Sequence, residues 1–242
     1  FLAAYREHAA DTWPPSLAHH QVAYRAQVRA KGVRHPSRPG RPRLRARRAS
    51  AAPLAHRHLA AGAVRLVLVG GLPGTGKSTL AGALSEGREA TVLRFDEIRK
   101  KLTGLRPDQP TPAAFGEGIY EPGLTHGTYA AMLRRARVAL GFGESVVLDA
   151  SWTDRAWRDQ ARAVAAACAA DLVELRCVAP AGVAADRMLA RAVRGGDPSD
   201  ATPVVAAAMA EREVPWPTAT AVDTAAPVDA AVLAALHVFG AA

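Results

Sequence analysis

Gly71-Leu72-Pro73-Gly74-Thr75-Gly76-Lys77-Ser78 is the stretch that decides the fold: two glycines separated by four residues and followed at once by Lys and Ser. Just before it, residues 64–69 read Val-Arg-Leu-Val-Leu-Val, a β-branched run suited to a buried parallel strand. Just after it, residues 77–85 have helical composition, so the motif sits between a strand and a helix. Gly71, Gly74 and Gly76 let the backbone turn successive N–H groups into one concavity, and no Cβ there blocks the approach of a phosphate. A helix starting near Lys77 adds the positive end of its dipole. The expected phosphate-binding set is Gly71, Leu72, Pro73, Gly74, Thr75, Gly76, Lys77, Ser78 and Thr79. Lys77 reaches the β and γ phosphates and the Ser78 hydroxyl ligates Mg²⁺. A glycine-rich turn without a ligand is the plain alternative.

A chain of 242 residues is long enough to bury one α/β core. No apolar run reaches the roughly 18 residues a membrane span needs, and no secretory leader is visible, so a soluble, cytoplasmic protein is expected. Cys168 and Cys177 have no nearby Cys or His cluster and read as small hydrophobes rather than as a disulfide or metal framework. The net charge of +9 is unevenly spread. Residues 12–85 hold 13 basic residues and no acid, whereas residues 86–242 hold 17 basic and 20 acidic ones. The region after the phosphate loop is therefore not a basic surface, and a nucleic-acid partner is not favoured.

Residues 1–10 and 17–31 read as helices broken by Pro14 and Pro15. Residues 33–50 carry seven arginines among Pro36, Pro39, Gly40 and Pro42, and read as a disordered linker, with polyanion binding the alternative. In a short helix over 53–62, His56 and His58 fall on different faces, and no metal site is expected.

A second strand over 90–95 ends at Asp96-Glu97-Ile98-Arg99. In open α/β sheets the carboxyl ends of strands face the ligand crevice. Asp96 is thus placed to accept a proton from a substrate hydroxyl, with Arg99 one turn on to hold a substrate anion; a simple helix-capping role for Asp96 is the alternative. Residues 104–127, rich in Pro and Gly, read as a loop over the site containing Phe115 and Tyr120. Residues 128–140 read as a helix with Tyr129, Met132, Leu133 and Ala136 along one apolar stripe. Ser145-Val-Val-Leu-Asp149 is an aliphatic strand ending in a carboxylate that can support Mg²⁺ beside Ser78. The residue after Asp149 is Ala150, so the usual carboxylate for activating a hydrolytic water is missing.

A helix follows to 170 with Thr153 as N-cap, then a strand over 171–178. A helix over 181–193 sets Arg187, Arg191 and Arg194 at i, i+4 and i+7. It ends in Gly195-Gly196-Asp197-Pro198-Ser199-Asp200, which suits a lid that closes over a triphosphate; a solvated face is the alternative. A helix over 204–213, a last strand over 219–223 and a closing helix over 228–239 complete the pattern. Strands alternating with helices predict an α/β three-layer sandwich around a mostly parallel five-stranded sheet, with the strand at Val146 beside the strand at Val67.

The loop at 71–78, Asp96 with Arg99, Asp149-Ala-Ser-Trp152 and the segment 187–200 together resemble the small P-loop kinases related to polynucleotide, gluconate and zeta-toxin kinases, which carry an AAA-type ATP-binding domain. Residues 1–32, with Asp-Thr-Trp-Pro-Pro-Ser-Leu-Ala-His-His, resemble the last helices of an aminoglycoside-phosphotransferase-like domain. In the bacterial two-domain proteins this chain is similar to, that domain precedes such a kinase. The resemblance lapses over 33–48, where those proteins continue in helix; the Arg and Pro there are also what an out-of-frame reading of a G+C-rich gene would give. It implies a helical remnant over 1–32, a linker with a short helix over 33–62 and a kinase domain over 63–242. It further implies ATP with Mg²⁺ and a small hydroxylated acceptor. Lys77, Asp96, Arg99, Arg187, Arg191 and Arg194 are then the catalytic candidates, and Ser78 and Asp149 the metal ligands. A polynucleotide 5′-hydroxyl kinase and an ATPase or nucleotide-gated binding module without an acceptor are the competing readings.

Overall fold

In the computed structural model, residues 13–31, 50–88, 90–111 and 113–241 are described. The helix expected over 1–10 and nearly all of the linker expected over 33–50 lie outside them. The chain divides into two compact units, Phe1–Val64 with Phe142–Glu144, and Arg65–Gly141 with Ser145–Ala242.

In the first unit, α1 (Pro15–Lys31) packs on α2 (Ala51–Ala61). The contact is made by Ala23, Ala26, Ala51 and Ala55, all buried, whose small side chains let the helices approach closely. His58 does not stand alone on its face: its Nδ1 lies 2.8 Å from Nδ1 of His19, and burial and the His58 charge both lower the His19 pKa. Among the described residues no group of three or more His, Cys, Asp and Glu side chains could hold a metal ion.

The second unit runs β1 (Arg65–Gly70), α3 (Lys77–Arg88), β2 (Thr91–Arg94), α4 (Phe95–Leu102), a 3₁₀ turn (Gly118–Tyr120) and α5 (Pro122–Gly141). It continues through β3 (Val146–Asp149), α6 (Arg155–Ala167), β4 (Asp171–Val178), α7 (Ala181–Arg194), α8 (Pro203–Ala210), β5 (Thr220–Asp223) and α9 (Val228–Ala241). The strands form one sheet in the order β2-β3-β1-β4-β5, every pairing parallel. The expected neighbours do pair, with Val67 opposite Val147.

β1 and β3 are buried on both faces, as strands covered by helix layers must be. Side chains alternate across the pleat. Val67, Val69, Val147, Val173 and Leu175 meet Leu80, Ala81 and Leu84 of α3 and Ala235 of α9 on one face. Leu66, Leu68, Val146 and Leu148 point to the other, where α5 packs against β1 and β3. Truncating one of these leucines to Ala removes about 2–5 kcal/mol.

Register places the site. Val69 of β1 and Arg94 of β2 both lie opposite Asp149 of β3, so three strands end level with one another. The chain moves from β1 to one side for β2 and β3 and to the other for β4 and β5. The crevice at that switch point is where a doubly wound sheet holds its ligand.

Several expected boundaries moved. Helix α5 starts at Pro122, six residues before the expected start, and shortens the expected loop over 104–127, which also contains the 3₁₀ turn. Gly123 and Gly127 hid that first turn, yet burial of Thr128 and Tyr129 holds it. Strand β2 stops at Arg94, and Phe95 is already helical. Helix α6 is capped by Asp154, which accepts from Ala156 N at 2.8 Å, and not by Thr153. Helix α8 ends at Ala210 rather than 213. No helix among the described residues is long and apolar enough to cross a membrane.

Candidate functional site

The phosphate loop is a cradle held from behind. Gly71, Gly74 and Gly76 have φ of +130°, +79° and +82°, the left-handed region that side chains rarely enter. At two of them space is also closed: a Cβ at Gly71 would stand 2.5 Å from the Cys177 carbonyl oxygen, and one at Gly74 2.3 Å from that of Ala184. The glycines therefore serve both the turn and the close packing of β4 and α7 against it. Gly71 N donates to Ser151 O at 3.1 Å, and Thr75 Oγ1 to Leu72 O at 2.7 Å, fixing the two ends of the loop. Thr224 Oγ1, just after the edge strand β5, donates to Thr75 O at 2.6 Å. Lys77 opens α3, and its ammonium donates to Leu72 O at 2.8 Å.

Lys77 and Asp149 form an electrostatically coupled pair. Burial lowers the lysine pKa while Asp149 raises it; burial raises the aspartate pKa while Lys77 and a hydrogen bond from Ser78 lower it. Each group is thus pushed toward neutrality by its surroundings and held charged by the other. Ser78 hydrogen-bonds to the Asp149 carboxylate, so the two oxygens lie side by side and could hold Mg²⁺. Two protein oxygens fit that ion, which takes the rest of its shell from phosphates and water. Cys177, directly behind the loop, has its thiol pushed up to about 12 by burial and stays protonated.

Two cavities open from this loop. One, of about 340 Å³, is bordered by Gly74, Gly76, Lys77, Ser78 and Thr79, by Arg187, Arg191 and Arg194 of α7, and by Thr224 and Ala226. The other, of about 300 Å³, is bordered by Pro73, Gly74, Lys77, Ser78 and Asp149 and extends past Asp96 and Arg99 of α4 to an aromatic wall. They share Gly74, Lys77, Ser78, Arg191 and Asp197. Asp96 and Arg99 face only the second cavity, and Arg187 and Arg194 only the first.

The arginine row is therefore split by its surroundings. Arg187 Nη2 donates to Thr224 O at 2.7 Å, and Arg191 Nη2 to Ala201 O at 3.3 Å with its Nε 3.9 Å from Asp197. With Ala184 packed on Gly74, the start of α7 is part of the loop's wall. The glycine turn after it has φ of +67° at Gly195 and +75° at Gly196.

Asp96 lies inside the first turn of α4, whose N-cap is Arg94, so the capping alternative does not hold. Its Oδ1 pairs with Arg99 Nη2 at 2.6 Å. The Arg99 guanidinium lies over Tyr120 at 4.6 Å and Phe95 at 5.6 Å. Tyr129 stacks on Trp157 at 4.8 Å and tilts against Phe95 at 4.5 Å. Its hydroxyl, pushed up to about 12 by burial, bonds Ser151 Oγ at 3.3 Å and accepts from Trp152 N at 3.2 Å. That bond supports Trp152 at φ +54°, a strained value for a tryptophan, immediately after the Ser151 carbonyl that anchors Gly71. Tyr129 read in the sequence only as part of an apolar stripe.

Lys100 was not foreseen. Its side chain is fully buried, and its ammonium donates to Pro107 O at 3.1 Å and Gln109 O at 2.8 Å and pairs with Asp200 at 3.0 Å. It thus joins α4, the following loop and the segment after α7. In a chain with four lysines, one directly following a candidate site arginine was the only available signal.

Comparison with known proteins supports this architecture. Uncharacterized proteins of Mycobacterium tuberculosis and Mycobacterium bovis are 41% identical over 239 residues, 99% of this chain and 47% of theirs. The chain thus spans about half the length of these curated relatives. Solved structures sharing the fold include a gluconokinase from Sinorhizobium meliloti (TM-score 0.53, 22% identity, 74% of this chain and 92% of that one). A Mycobacterium tuberculosis APS kinase in complex with AMPPNP and APS is also similar (TM-score 0.54, 19% identity, 73% and 98%). So is a sugar kinase from Janibacter (TM-score 0.54, 18% identity, 73% and 94%). With a fold shared by P-loop kinases and a phosphate loop opening on two cavities, and with residues 66–215 matching the AAA domain family, the chain belongs to that family.

Proposed function

We propose that the chain is an ATP-dependent kinase that transfers the γ-phosphoryl group to a hydroxyl of a small-molecule acceptor. The observation that carries this is the meeting of two cavities at Lys77 and Ser78, with Asp96 and Arg99 in one and Arg187 and Arg194 in the other. A hydrolase needs one compartment and a water; a transferase needs two compartments that share the reacting phosphate. The gluconokinase and sugar kinase among the structural neighbours are named for small hydroxylated acceptors, which agrees with this reading by analogy of fold.

Lys77 and the loop N–H groups hold the phosphates. Mg²⁺, held by Ser78 and supported by Asp149, would neutralise phosphate charge. Asp96 accepts the proton of the acceptor hydroxyl as its oxygen forms the new bond to phosphorus, while the bond to the departing nucleotide oxygen breaks. Arg191, which borders both cavities, is placed to screen charge in between. Ala150 offers no base for water. We take residues 1–32 as the end of a preceding aminoglycoside-phosphotransferase-like domain, for which the relatives' greater length leaves room.

The test is a screen of labelled ATP against sugars, aminoglycosides, nucleosides and 5′-hydroxyl oligonucleotides. Label transferred to a small acceptor supports the proposal. Transfer to oligonucleotides alone replaces the acceptor class, and release of inorganic phosphate alone contradicts the kinase reading.

A further inference from the structure

We propose that Trp216 is a positioning residue for the phosphate loop: its indole, seated where a side chain of residue 70 would lie, fixes the point at which the chain leaves β1 and turns into Gly71. This rests on the reading of residues 71–78 as the nucleotide site.

Gly70 is the last residue of β1, is buried, and lies opposite Arg176 of β4. Unlike Gly71, Gly74 and Gly76 it is not at positive φ, so its backbone does not call for glycine. Space does. A Cβ at Gly70 would overlap Cζ3 of Trp216 and stand 3.0 Å from its Cη2 and 3.3 Å from Cδ1 of Trp152. The absent side chain of residue 70 and the benzo end of the Trp216 indole are two halves of one fit.

The segment that carries the ring is clamped. Trp216 lies between α8 and β5, is 8% exposed, and has a proline on either side. Arg158 of α6, itself buried, donates from Nη1 to Val214 O and from Nη2 to Pro215 O, both at 3.1 Å. Its guanidinium lies 5.2 Å from the centre of the Trp216 ring. Val214 N donates to Thr153 O at 3.0 Å. Arg176, the residue opposite Gly70, donates to both carboxylate oxygens of Glu213 at 3.1 and 2.8 Å. The indole gains no hydrogen bond in return: Nε1 is buried with no partner among the described residues, so what the ring contributes is its shape. Trp216 stands immediately beyond residues 66–215, which match the AAA domain family, and so outside the phosphate-loop motif.

The loop is the softer side of this contact. Gly71 has φ of +130°, and its N–H is tied to Ser151 O at 3.1 Å. A methyl group at residue 70 therefore pushes on Gly71 and that bond before it moves the clamped indole, and turns the loop N–H groups away from a phosphate.

The experiment is a size exchange with two readouts, taken below the melting temperature of every variant. One is affinity for a fluorescent ATP analogue; the other is hydrogen exchange of the amides of residues 71–78 in the nucleotide-free chain. Gly70→Ala should weaken nucleotide binding by about tenfold or more and speed exchange in the loop. Trp216→Phe, which removes the benzo end, should weaken binding by only about threefold and speed exchange less. With both changes the methyl enters the vacated space, and affinity should lie within about threefold of Trp216→Phe alone, a non-additive recovery. A role in packing alone would lower melting temperature and leave the affinity of the folded chain unchanged. Wild-type affinity and exchange in Gly70→Ala, or a double variant no better than Gly70→Ala, would overturn the inference. Should Gly70→Ala not fold, Trp216→Phe decides: faster loop exchange sustains the inference and unchanged exchange overturns it. If the wild-type chain bound no nucleotide, the nucleotide-site reading would fall, while the exchange pattern across the same variants would still decide whether Trp216 positions the loop.

Discussion

On the side of Lys77 proposed for the nucleotide, Gly74 and residues 76–80 supply one wall of the cavity from a single stretch of sequence. On the side proposed for the acceptor, Asp96 and Arg99 come from α4, Tyr120 from the 3₁₀ turn, Tyr129 from α5, Trp157 from α6 and Met209 from α8. The first compartment has one wall that is local and set by glycine conformation, closed by α7 and the segment after β5. The second exists only once these five separate segments have packed, and its selectivity can change without disturbing the first.

If that contrast is right, changes to the two sides must fail differently. The largest effect belongs to Lys77→Ala. Turnover should fall by roughly 10³-fold or more and ATP affinity should drop. Melting temperature should hold, because burial already opposes the charged lysine. Turnover near wild type would remove the phosphate site as assigned.

Asp149→Asn should separate stability from activity. Burial raises the Asp149 pKa above its ordinary value, so the unfolded chain releases this proton more readily than the folded one, and the group's contribution to stability falls as pH rises from about 3.8 through the folded value. The amide avoids that loss. The variant should melt higher than wild type near pH ~8, with the gap closing toward pH ~4, while Mg²⁺-dependent turnover is lost. A variant that melts lower at neutral pH would contradict the balance of burial over the Lys77 attraction.

Lys100→Met probes the assembled side. Leaving Asp200 buried without its partner should cost roughly 3–5 kcal/mol in urea unfolding, and the double variant Lys100→Met, Asp200→Leu should recover most of it. Nucleotide affinity of the double variant should stay near wild type. A joint loss of nucleotide affinity would show that the compartments are not independent. The smallest effect is expected from Thr202→Ala, which removes the cap accepting from Val205 N at 3.3 Å. It should cost ~1 kcal/mol and lower Tm by about 2–4 °C.

The same contrast explains what the sequence disclosed. The loop at 71–78, the strand ending at Asp149 and the neighbouring of the strands at Val67 and Val146 were legible because each rests on local pattern and general topology. The start of α5 at Pro122 was not, since two glycines argue against helix and only burial of Tyr129 decides for it. Lys100 with Asp200 was invisible because the partners are a hundred residues apart. Asp96 and Arg99 were legible as strand-end residues, but the Tyr120 ring against Arg99 was not, because residues 104–127 carry no period that fixes where a side chain points.

The most direct test of the central claim is Asp96→Asn, assayed for nucleotide affinity, acceptor turnover and melting temperature. The side chain keeps its size but can no longer take the acceptor proton. Affinity and melting temperature should stay close to wild type while transfer falls by roughly 10²-fold or more. Transfer at the wild-type rate would contradict the account, for Asp96 would then be only the partner of Arg99 and the second cavity would lack its base.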